Sequence, residues 1–507
     1  MNVQAIKKFL NRRNLFLIAV IGIIFFLGMR VPLDPDLGWH LRSGEYIWQH
    51  KAVADHDPFS HSFPEYPWIA HEWLSDLMLY GLNSLGAVAG PIAMSAVFAV
   101  FSTLAFYFAG RSFPARKEYQ LLAALLALLV SLPIIGPRPQ VISMLGLGLV
   151  FYFLYRFRLN QKSRGVYYLP LIFLIWVNLH GGFSLGLFAL ALFFGVELFR
   201  RLVKWAVEKT RRRELQFKVL SKASFIKLMI VGIASGAATL VNPYGLRIYY
   251  EVYYTMINTV GSALVRQSIA EWNPVQFGHR MSLQLTIYLV LFGILLLFSL
   301  KKIDFTHLII TGVFFYIGLS SWRHMPLLMI AITPFWVLIA QVLTGDTLLK
   351  LLRRRFILFL FLLALALVIR QQISGLLEFG IDPAKTADKG QYPYEAVQYL
   401  KQHPMKGEML NEYNYGGYLV WNYPQKKVFI DGRMAIWEYQ GKNIYKDWEI
   451  IGQLKPGYLE LIDKYKIDWT FFRCNLAIAE ALRRSENWQE VYRDEMICII
   501  VRRGSQE

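Results

Sequence analysis

The sequence predicts a polytopic α-helical membrane protein of about eleven transmembrane helices, with a C-terminal extracytoplasmic α/β domain. Three observations lead to this prediction. Of the 507 residues, 55% are hydrophobic and only 18% are charged, which is typical of a membrane protein. Apolar runs that approach the thickness of a bilayer recur between residues 14 and 374. After about residue 380 the chain becomes polar and alternates helix-like with strand-like patterns.

Eleven segments meet or approach the length of about 20 mostly apolar residues that a spanning helix needs. They are 14–30, 87–109, 119–136, 140–158, 166–179, 182–203, 224–242, 282–300, 304–321, 325–345 and 354–374. No small-residue cleavage site follows the first segment, so we interpret it as an uncleaved helix rather than a signal peptide. The fifth segment is short, and it is separated from the sixth only by the sequence around His180.

The basic residues predict one orientation in the cell membrane. Lys and Arg cluster on the side of the membrane where the N-terminus lies, at residues 7–13, 111–117, 156–164, 200–222, 301–302 and 353–355. Because cytoplasmic loops carry the excess of Lys and Arg, the N-terminus is predicted to be cytoplasmic. An odd number of spans then places the C-terminal domain outside. The same distribution argues against nucleic acid as a partner, although the formal net charge is +19.

We expect two domains. Residues 1–379 form the transmembrane domain, whose long first extracytoplasmic loop, 31–86, contains two amphipathic interfacial helices. Residues 380–507 form the α/β domain, with helices predicted at 394–403, 459–465 and 478–485 and strands at 417–421, 427–430, 469–472 and 496–501. The chain has two cysteines, Cys474 and Cys498, which makes thiol chemistry and a Cys-based metal site improbable. They can form a disulfide if this domain lies outside.

Polar residues concentrate at the outer face of this topology. The histidines predicted there are His40, His50, His56, His61, His71, His180, His279 and His324, whereas His307 lies near the cytoplasmic face. Ionisable groups near hydrocarbon are costly and usually line a cavity or a site. The clustering therefore favours a functional site at the outer face over ordinary solvated loops.

An acidic pair, Asp34 and Asp36, directly follows the first predicted span. Two carboxylates this close can share a divalent cation, or one can act as a base toward an incoming hydroxyl or amine. The alternative is structural, since Asp36 can cap a helix that begins at Leu37. The position just outside the first span, ahead of an amphipathic loop, favours the functional interpretation.

The residues around this pair resemble motifs of the GT-C glycosyltransferases. Residues 34–47, DPDLGWHLRSGEYI, are similar to the D-x-D-x-x-x-H-x-R start of prokaryotic oligosaccharyltransferase catalytic subunits. Ser268-Ile269-Ala270-Glu271 resembles their S/T-I-x-E motif, and 413–418 followed by 428–433 looks like their W-W-D-Y-G segment with its strand and turn. The two tryptophans and the aspartate of that segment are absent here, so the resemblance does not imply reading of an acceptor sequon.

The resemblance and the outer-face topology together suggest a role for each candidate residue. The predicted catalytic residues are Asp36, Asp34 and Glu271, and the resemblance implies that Asp36 and Glu271 could also be ligands of Mg²⁺ or Mn²⁺. The cationic residues predicted to bind the donor phosphate are Arg138, His180, Arg323 and His324. The residues predicted to bind the acceptor or a sugar are His40, Arg42, His71, Glu72, Tyr413, Asn414 and Tyr415. The turn Asp431-Gly432-Arg433 either faces the site or closes a hairpin.

The leading functional hypothesis is a glycosyltransferase of the inverting GT-C type, with an oligosaccharyltransferase-like activity as one form of it. It would move a sugar or oligosaccharide from a polyprenyl-phosphate-linked donor to an extracytoplasmic protein, lipid or glycan. Two alternatives stay open: a non-catalytic assembly factor for surface polysaccharide, and a transporter or flippase for a lipid-linked sugar. The sequence shows no clear internal repeat and its polar residues lie at outer span ends, which is unlike most transporters.

Overall fold

The computed structural model describes residues 11–211, 218–261, 269–278, 282–299, 303–382 and 392–506. The chain divides into two compact units. Unit 1 comprises Met1–Arg30, Ser95–Leu246 and Arg266–Ile373, and unit 2 comprises Val31–Met94, Arg247–Val265 and Ser374–Glu507. The domain boundary predicted at residue 380 lies near the start of the last segment of unit 2. Unit 2 also takes in the predicted first outer loop and a short central segment.

Unit 1 is built from apolar helices. The helices that lie wholly or largely in it are Arg12–Gly28, Ala89–Arg111, Lys117–Ser131, Gln140–Leu159, Leu169–Leu179, Phe183–Arg211, Lys222–Ala238, Leu283–Leu297, Phe305–Leu319, Met325–Thr344, Thr347–Leu352 and Arg355–Ile381. Each of the eleven predicted apolar segments overlaps one of these helices. They are typical of an integral membrane protein.

Five helices within the described residues are long and apolar enough to cross a membrane, by length and composition: Ala89–Arg111, Gln140–Leu159, Phe183–Thr210, Trp322–Thr344 and Arg355–Ile381. Three further apolar helices, Gly165–Leu179, Leu283–Leu297 and Phe305–Leu319, are shorter. The predicted count of eleven spans is therefore not confirmed, although the helical and apolar character of the unit is.

Small residues let the helices of unit 1 approach closely. A Cβ atom on Gly146 would lie 2.4 Å from the ring of Trp176, and one on Gly318 would lie 2.3 Å from Leu328. Helices surrounded by lipid gain no hydrophobic free energy from associating, so they depend on van der Waals contact. Small residues increase that contact because they let the backbones approach closely. The helix Met325–Thr344 is buried along most of its length and forms the centre of this packing.

Unit 2 is a mixed α/β domain. Its helices are Leu37–His50, Trp73–Asn83, Arg247–Gly261, Tyr394–Gln402, Gly416–Asn422, Ile444–Gly452, Tyr458–Lys464 and Ala477–Arg484. Its strands are β1 (Glu408–Asn411), β2 (Glu438–Tyr439), β3 (Lys442–Asn443), β4 (Ile467–Arg473), β5 (Trp488–Arg493) and β6 (Ile497–Arg502). Four strands form a sheet in the order β1-β4-β6-β5, in which β1 and β4 are parallel and the other pairs antiparallel. The strands β2 and β3 form a separate antiparallel pair.

Most predicted elements of the C-terminal domain are confirmed. The three predicted helices are present, and the strands predicted at 469–472 and 496–501 correspond to β4 and β6. The strand predicted at 417–421 is wrong, because this segment lies in the helix Gly416–Asn422. The strand predicted at 427–430 is also wrong, since only Val428 there forms an isolated bridge, to Ser60. The disulfide between Cys474 and Cys498 is present and joins the end of β4 to β6.

The two helices predicted in the first outer loop are confirmed as Leu37–His50 and Trp73–Asn83. They cross closely at Gly44, where an added Cβ atom would lie 2.2 Å from the carbonyl oxygen of Asp76. A glycine is needed at this crossing because any side chain would push the helices apart. The crossing places Asp76 beside His40 and Ser43 of the first helix.

Candidate functional site

The acidic pair of unit 2 is held by local backbone geometry. Asp34 is 6% exposed, and its Oδ1 accepts a hydrogen bond of 2.9 Å from the backbone N–H of Asp36. Asp36 is half-buried and occupies the N-cap position of the helix Leu37–His50. Its carboxylate accepts no capping hydrogen bond from that helix. The capping alternative therefore does not explain what the Asp36 side chain does.

Two glycines from the C-terminal part of unit 2 lie in close contact with the segment 34–36. A Cβ atom on Gly432 would lie 1.9 Å from Oδ1 of Asp36, and one on Gly417 would lie 2.2 Å from the carbonyl oxygen of Pro35. The Asp36 carboxylate thus lies directly on the backbone of Gly432. Of the two alternatives for the turn Asp431-Gly432-Arg433, the structure places it beside Asp36. The turn starts a short 3₁₀ helix, Gly432–Ile436, rather than closing a hairpin.

His40, one helical turn beyond Asp36, forms a buried cluster with Glu72 and Asp76 at the start of the helix Trp73–Asn83. Nδ1 of His40 lies 2.6 Å from Oδ1 of Asp76, and the hydroxyl of Ser43 donates to the other oxygen of Asp76, also at 2.6 Å. Nε2 of His40 lies 3.6 Å from Oε2 of Glu72. All three residues of the cluster are buried, and together they form a group that can hold a metal ion.

The charges around His40 favour its protonated form. Burial alone would lower its pKa, but the charge and hydrogen bond of Asp76, with smaller contributions from Glu72 and Asp36, raise the pKa of His40 to about 9. Three carboxylates therefore act on one imidazole, and the cluster favours bound positive charge. A buried site with this excess of negative charge must be balanced by a proton or a cation.

Arg433 is the buried cation that holds the Gly432 turn in place. It is 8% exposed, and its guanidinium contacts Asp57 at 2.9 Å and Asp431 at 2.6 Å. The rings of Phe59, Trp68 and Trp437 surround it at 4.6 to 5.1 Å from their centroids. Burial would lower the pKa of Arg433, but Asp431 and Asp57 raise it. The permanently charged Arg433 stabilises both carboxylates and so fixes the turn on which Asp36 lies.

The other residues predicted to bind an acceptor or a sugar occupy different environments in unit 2. Arg42 pairs with Glu45 on its own helix, and Nε2 of His71 lies 3.6 Å from Oε1 of Glu72. The hydroxyl of Tyr413 donates to the carbonyl oxygen of Gly432 at 3.1 Å. Asn414 is exposed. Tyr415 is 6% exposed and its hydroxyl contacts Sδ of Met496, so it is a core residue of the domain.

In unit 1, Arg138, Glu271 and Arg323 come together. Nη1 of Arg138 donates to Oε1 of Glu271 at 2.6 Å, and Nη1 of Arg323 lies 3.8 Å from Oε2 of the same carboxylate. Burial would raise the pKa of Glu271, but the two guanidinium groups outweigh it and hold this pKa below its usual value. The three side chains are 25 to 32% exposed, so the net positive charge of the trio is accessible.

The two histidines predicted to bind phosphate also lie in unit 1. His324 packs edge-on against Trp272, the same ring over which the guanidinium of Arg323 lies at 5.2 Å. His324 therefore belongs to the Arg323 cluster. Nδ1 of His180 accepts a hydrogen bond of 2.9 Å from the backbone N–H of Gly182 and lies 2.6 Å from Oγ of Ser143. Because Nδ1 accepts, the neutral His180 carries its proton on Nε2.

The predicted metal ligands, Asp36 and Glu271, belong to different units. Within its unit, Glu271 is paired with two arginines, whereas among the described residues His40, Glu72 and Asp76 form a group that can hold a metal ion. Sequence reasoning missed Asp76. Its signal was available, because Glu72 and Asp76 are four residues apart and so share one face of the predicted helix. Ser268, the first residue of the motif that ends at Glu271, lies outside the described residues.

The fold is largely helical, with apolar helices long enough to cross a membrane and a carboxylate-rich site in its α/β unit. The chain is similar to the crystal structure of the Archaeoglobus fulgidus oligosaccharyltransferase in its apo form, with a TM-score of 0.55 and 14% identity over 92% of this chain and 70% of that one. It is also similar to that enzyme tethered to an acceptor peptide containing an NVT sequon, with a TM-score of 0.54 and 12% identity over 91% and 69% of the two chains. These similarities confirm the predicted resemblance in fold.

No protein-family model matches the sequence, and no curated protein matches it.

Proposed function

We propose that this protein is a membrane glycosyltransferase that moves a sugar or oligosaccharide from a polyprenyl-phosphate-linked donor to an extracytoplasmic acceptor. The main observation behind the proposal is that the Asp36 carboxylate lies against the backbone of Gly432. The fold around it is similar to that of an oligosaccharyltransferase. A fold alone does not determine an activity, so the proposal depends on the chemistry of the residues. Protein, lipid and glycan acceptors are all compatible with it.

Asp36 is the proposed catalytic residue. A half-buried carboxylate can take a proton from an acceptor hydroxyl or amide as that group attacks the anomeric carbon of the donor. Asp34 has a supporting role, since its Oδ1 accepts from the backbone N–H of Asp36 and fixes the position of that residue. Tyr413 and Asn414 are partly or fully accessible and are proposed to contact the sugar or the acceptor.

Arg138 and Arg323 are proposed to bind the donor phosphate, with His324 beside them. Transfer releases a phosphate or pyrophosphate whose negative charge grows as the glycosidic bond breaks, and guanidinium groups stabilise such charge with directed hydrogen bonds. Glu271 compensates one of the two positive charges and holds both arginines in place before the donor arrives. If the protein binds a divalent ion such as Mg²⁺ or Mn²⁺, that ion would supply Lewis-acid chemistry.

The proposed location is the outer face of the cell membrane, with a cytoplasmic N-terminus. The excess of Lys and Arg in one set of loops supports this orientation. The disulfide in unit 2 supports it too, because structural disulfides persist in oxidising compartments and are rare in the cytosol.

The decisive experiment is transfer by the purified full-length protein in lipid nanodiscs, with a panel of radiolabelled polyprenyl-phosphate-linked sugars as donors. Asp36→Asn should lower turnover by about 10²–10⁴-fold, the usual cost of losing a general base, without loss of fold. Asp55→Asn, an exposed position in the same segment, is the control and should keep full turnover. Normal turnover by Asp36→Asn would show that the base assignment is wrong.

A second experiment tests whether Arg323 binds the donor phosphate. Arg323→Ala should weaken donor binding by roughly 10-fold or more, because a hydrogen bond to a charged group is lost, whereas the exposed Arg164→Ala should not. If the wild type transfers none of the sugars but moves them across vesicle membranes, the flippase alternative is favoured. If it does neither, the assembly-factor alternative is favoured.

A further inference from the structure

We propose that His40 and Glu72 bind a divalent transition-metal ion in unit 2, and that Asp76 orients the His40 ring from behind. This site differs from the metal site predicted from the sequence, because neither Asp36 nor Glu271 is required as a ligand. It stands independently of the proposed sugar transfer.

The hydrogen bonds of His40 leave Nε2 as the metal-binding atom. Nδ1 is occupied by Asp76 at 2.6 Å, and Asp76 is itself fully buried and fixed by the hydroxyl of Ser43. A carboxylate on one ring nitrogen of a histidine holds the proton there and directs the lone pair of the other nitrogen toward a metal. The Asp76–His40 pair has this arrangement.

The distance between His40 and Glu72 fits a shared ion better than a direct hydrogen bond. Nε2 and Oε2 are 3.6 Å apart, which is longer than the roughly 2.7–3.2 Å of a normal hydrogen bond. Two ligand atoms that each lie about 2.1 Å from one ion are separated by about 3 to 3.6 Å, depending on the angle between them. Glu72 and His40 are thus spaced as two ligands, and water or substrate would complete the coordination.

Burial and charge favour a cation at this position. His40 is 6% exposed and Glu72 is 8% exposed. The carboxylates of Glu72 and Asp76 lie 3.6 and 2.6 Å from the two ring nitrogens of His40, so an ion placed between Nε2 and Glu72 would be surrounded by buried negative charge. An imidazole nitrogen beside carboxylate oxygens suits Mn²⁺, Co²⁺ or Zn²⁺, whereas Mg²⁺ and Ca²⁺ prefer oxygen ligands alone. The donor set therefore selects a transition metal.

The test is metal binding to the chelator-treated, full-length protein in nanodiscs. Titration with MnCl₂ followed by electron paramagnetic resonance, and with ZnCl₂ followed by elemental analysis, should each give about one ion per chain, with much weaker binding of MgCl₂. Glu72→Gln should abolish this stoichiometric binding. Asp76→Asn, which changes only the orienting group, should weaken it by about 10–100-fold. The exposed Glu65→Gln is the control and should bind as the wild type does.

The spectrum shows directly whether a histidine is a ligand of the ion. In wild-type protein labelled with ¹⁵N-histidine, the bound Mn²⁺ should show coupling to a histidine nitrogen, and this readout does not depend on any variant folding. Binding that is absent, or that Glu72→Gln and Asp76→Asn leave unchanged, would overturn the proposal. A protein that binds the ion but transfers no sugar would contradict only the proposed function, and one that transfers sugar without binding the ion would contradict only this inference.

Discussion

A single glycine sets the position of the proposed catalytic carboxylate. Gly432 lies so close to Asp36 that any side chain at position 432 would occupy the place of Oδ1. The need for glycine here comes from this close approach, because its backbone does not lie in the left-handed region that also favours glycine. The consequence is that Oδ1 of Asp36 can keep its present position only if residue 432 is a glycine.

We therefore expect Gly432→Ala to displace the Asp36 carboxylate and to lower sugar transfer by about 10²-fold, since catalytic groups tolerate little displacement. The measurement is the nanodisc transfer assay, with thermal melting to confirm the fold. Gly452→Ala is the matched control, because an added Cβ atom there meets nothing within 4 Å. Equal loss of activity in both variants would show that the effect is general and would contradict the proposed role of Gly432.

Local sequence predicts part of this site and cannot predict the rest. Asp36 was identified because a short acidic motif follows a span, and His40 and Glu72 were identified because polar residues cluster on one face. The sequence predicted His40 and Glu72 to contact an acceptor or a sugar, whereas the structure places them in a buried cluster. The difference arises because burial cannot be deduced from residue type alone. The pairing of Asp57 with Arg433 was not predictable, since nothing in one sequence links residues so far apart.

At the scale of elements, tertiary contacts explain why the strand predicted at 417–421 is a helix. Residues 417–421, GYLVW, have the aromatic and β-branched composition typical of a strand, yet they are helical. Added Cβ atoms on Gly416 and Gly417 would lie 2.0 Å from the carbonyl oxygen of Ile430 and 2.2 Å from that of Pro35, respectively. The close packing of this segment against the backbone at Ile430 and Pro35, rather than its composition, thus explains why it is helical. The strand β1 was missed because its four residues are too few for a period to be detected.

The disulfide of unit 2 should contribute measurably to stability. It closes a loop with a sequence separation of 24 between its two cysteines, for which chain entropy gives about 3 kcal/mol. We expect the double variant Cys474→Ser/Cys498→Ser, or the wild type in reductant, to unfold at a lower denaturant concentration than the oxidised protein. Reductant should have no further effect on the double variant. Identical unfolding of the oxidised and reduced wild type would contradict this contribution.

At the scale of the whole molecule, basic residues have two roles. They were predicted as anchors that orient the chain, but Arg158 and Arg200 also form a buried ion network in unit 1. Nε of Arg158 lies 2.8 Å from Glu197, and both arginines pair with Asp304 at 3.0 and 3.2 Å. The sequence did not indicate this network, because Glu197 is an isolated acid in an apolar run. Removing one partner would leave an uncompensated buried charge.

The orientation prediction can be tested on the whole molecule by cysteine labelling. On the Cys474→Ser/Cys498→Ser background, we expect a membrane-impermeant maleimide added to intact cells to modify Glu486→Cys and to spare Lys162→Cys. Both positions are exposed, so solvent access within the protein is matched. Permeabilised cells are the control, in which both should react. The reverse pattern would place the proposed catalytic face in the cytoplasm and contradict the sugar-transfer proposal.

The discontinuity of unit 2 has a consequence for how the protein matures. Asp36 is synthesised early, but the turn that fixes it is made only when the ribosome reaches Gly432 and Arg433. Until then Asp57 of the first loop lacks its partner Arg433, while the apolar helices between the two segments are inserted. A nascent chain that stalls anywhere in this interval therefore lacks the turn on which the Asp36 carboxylate lies.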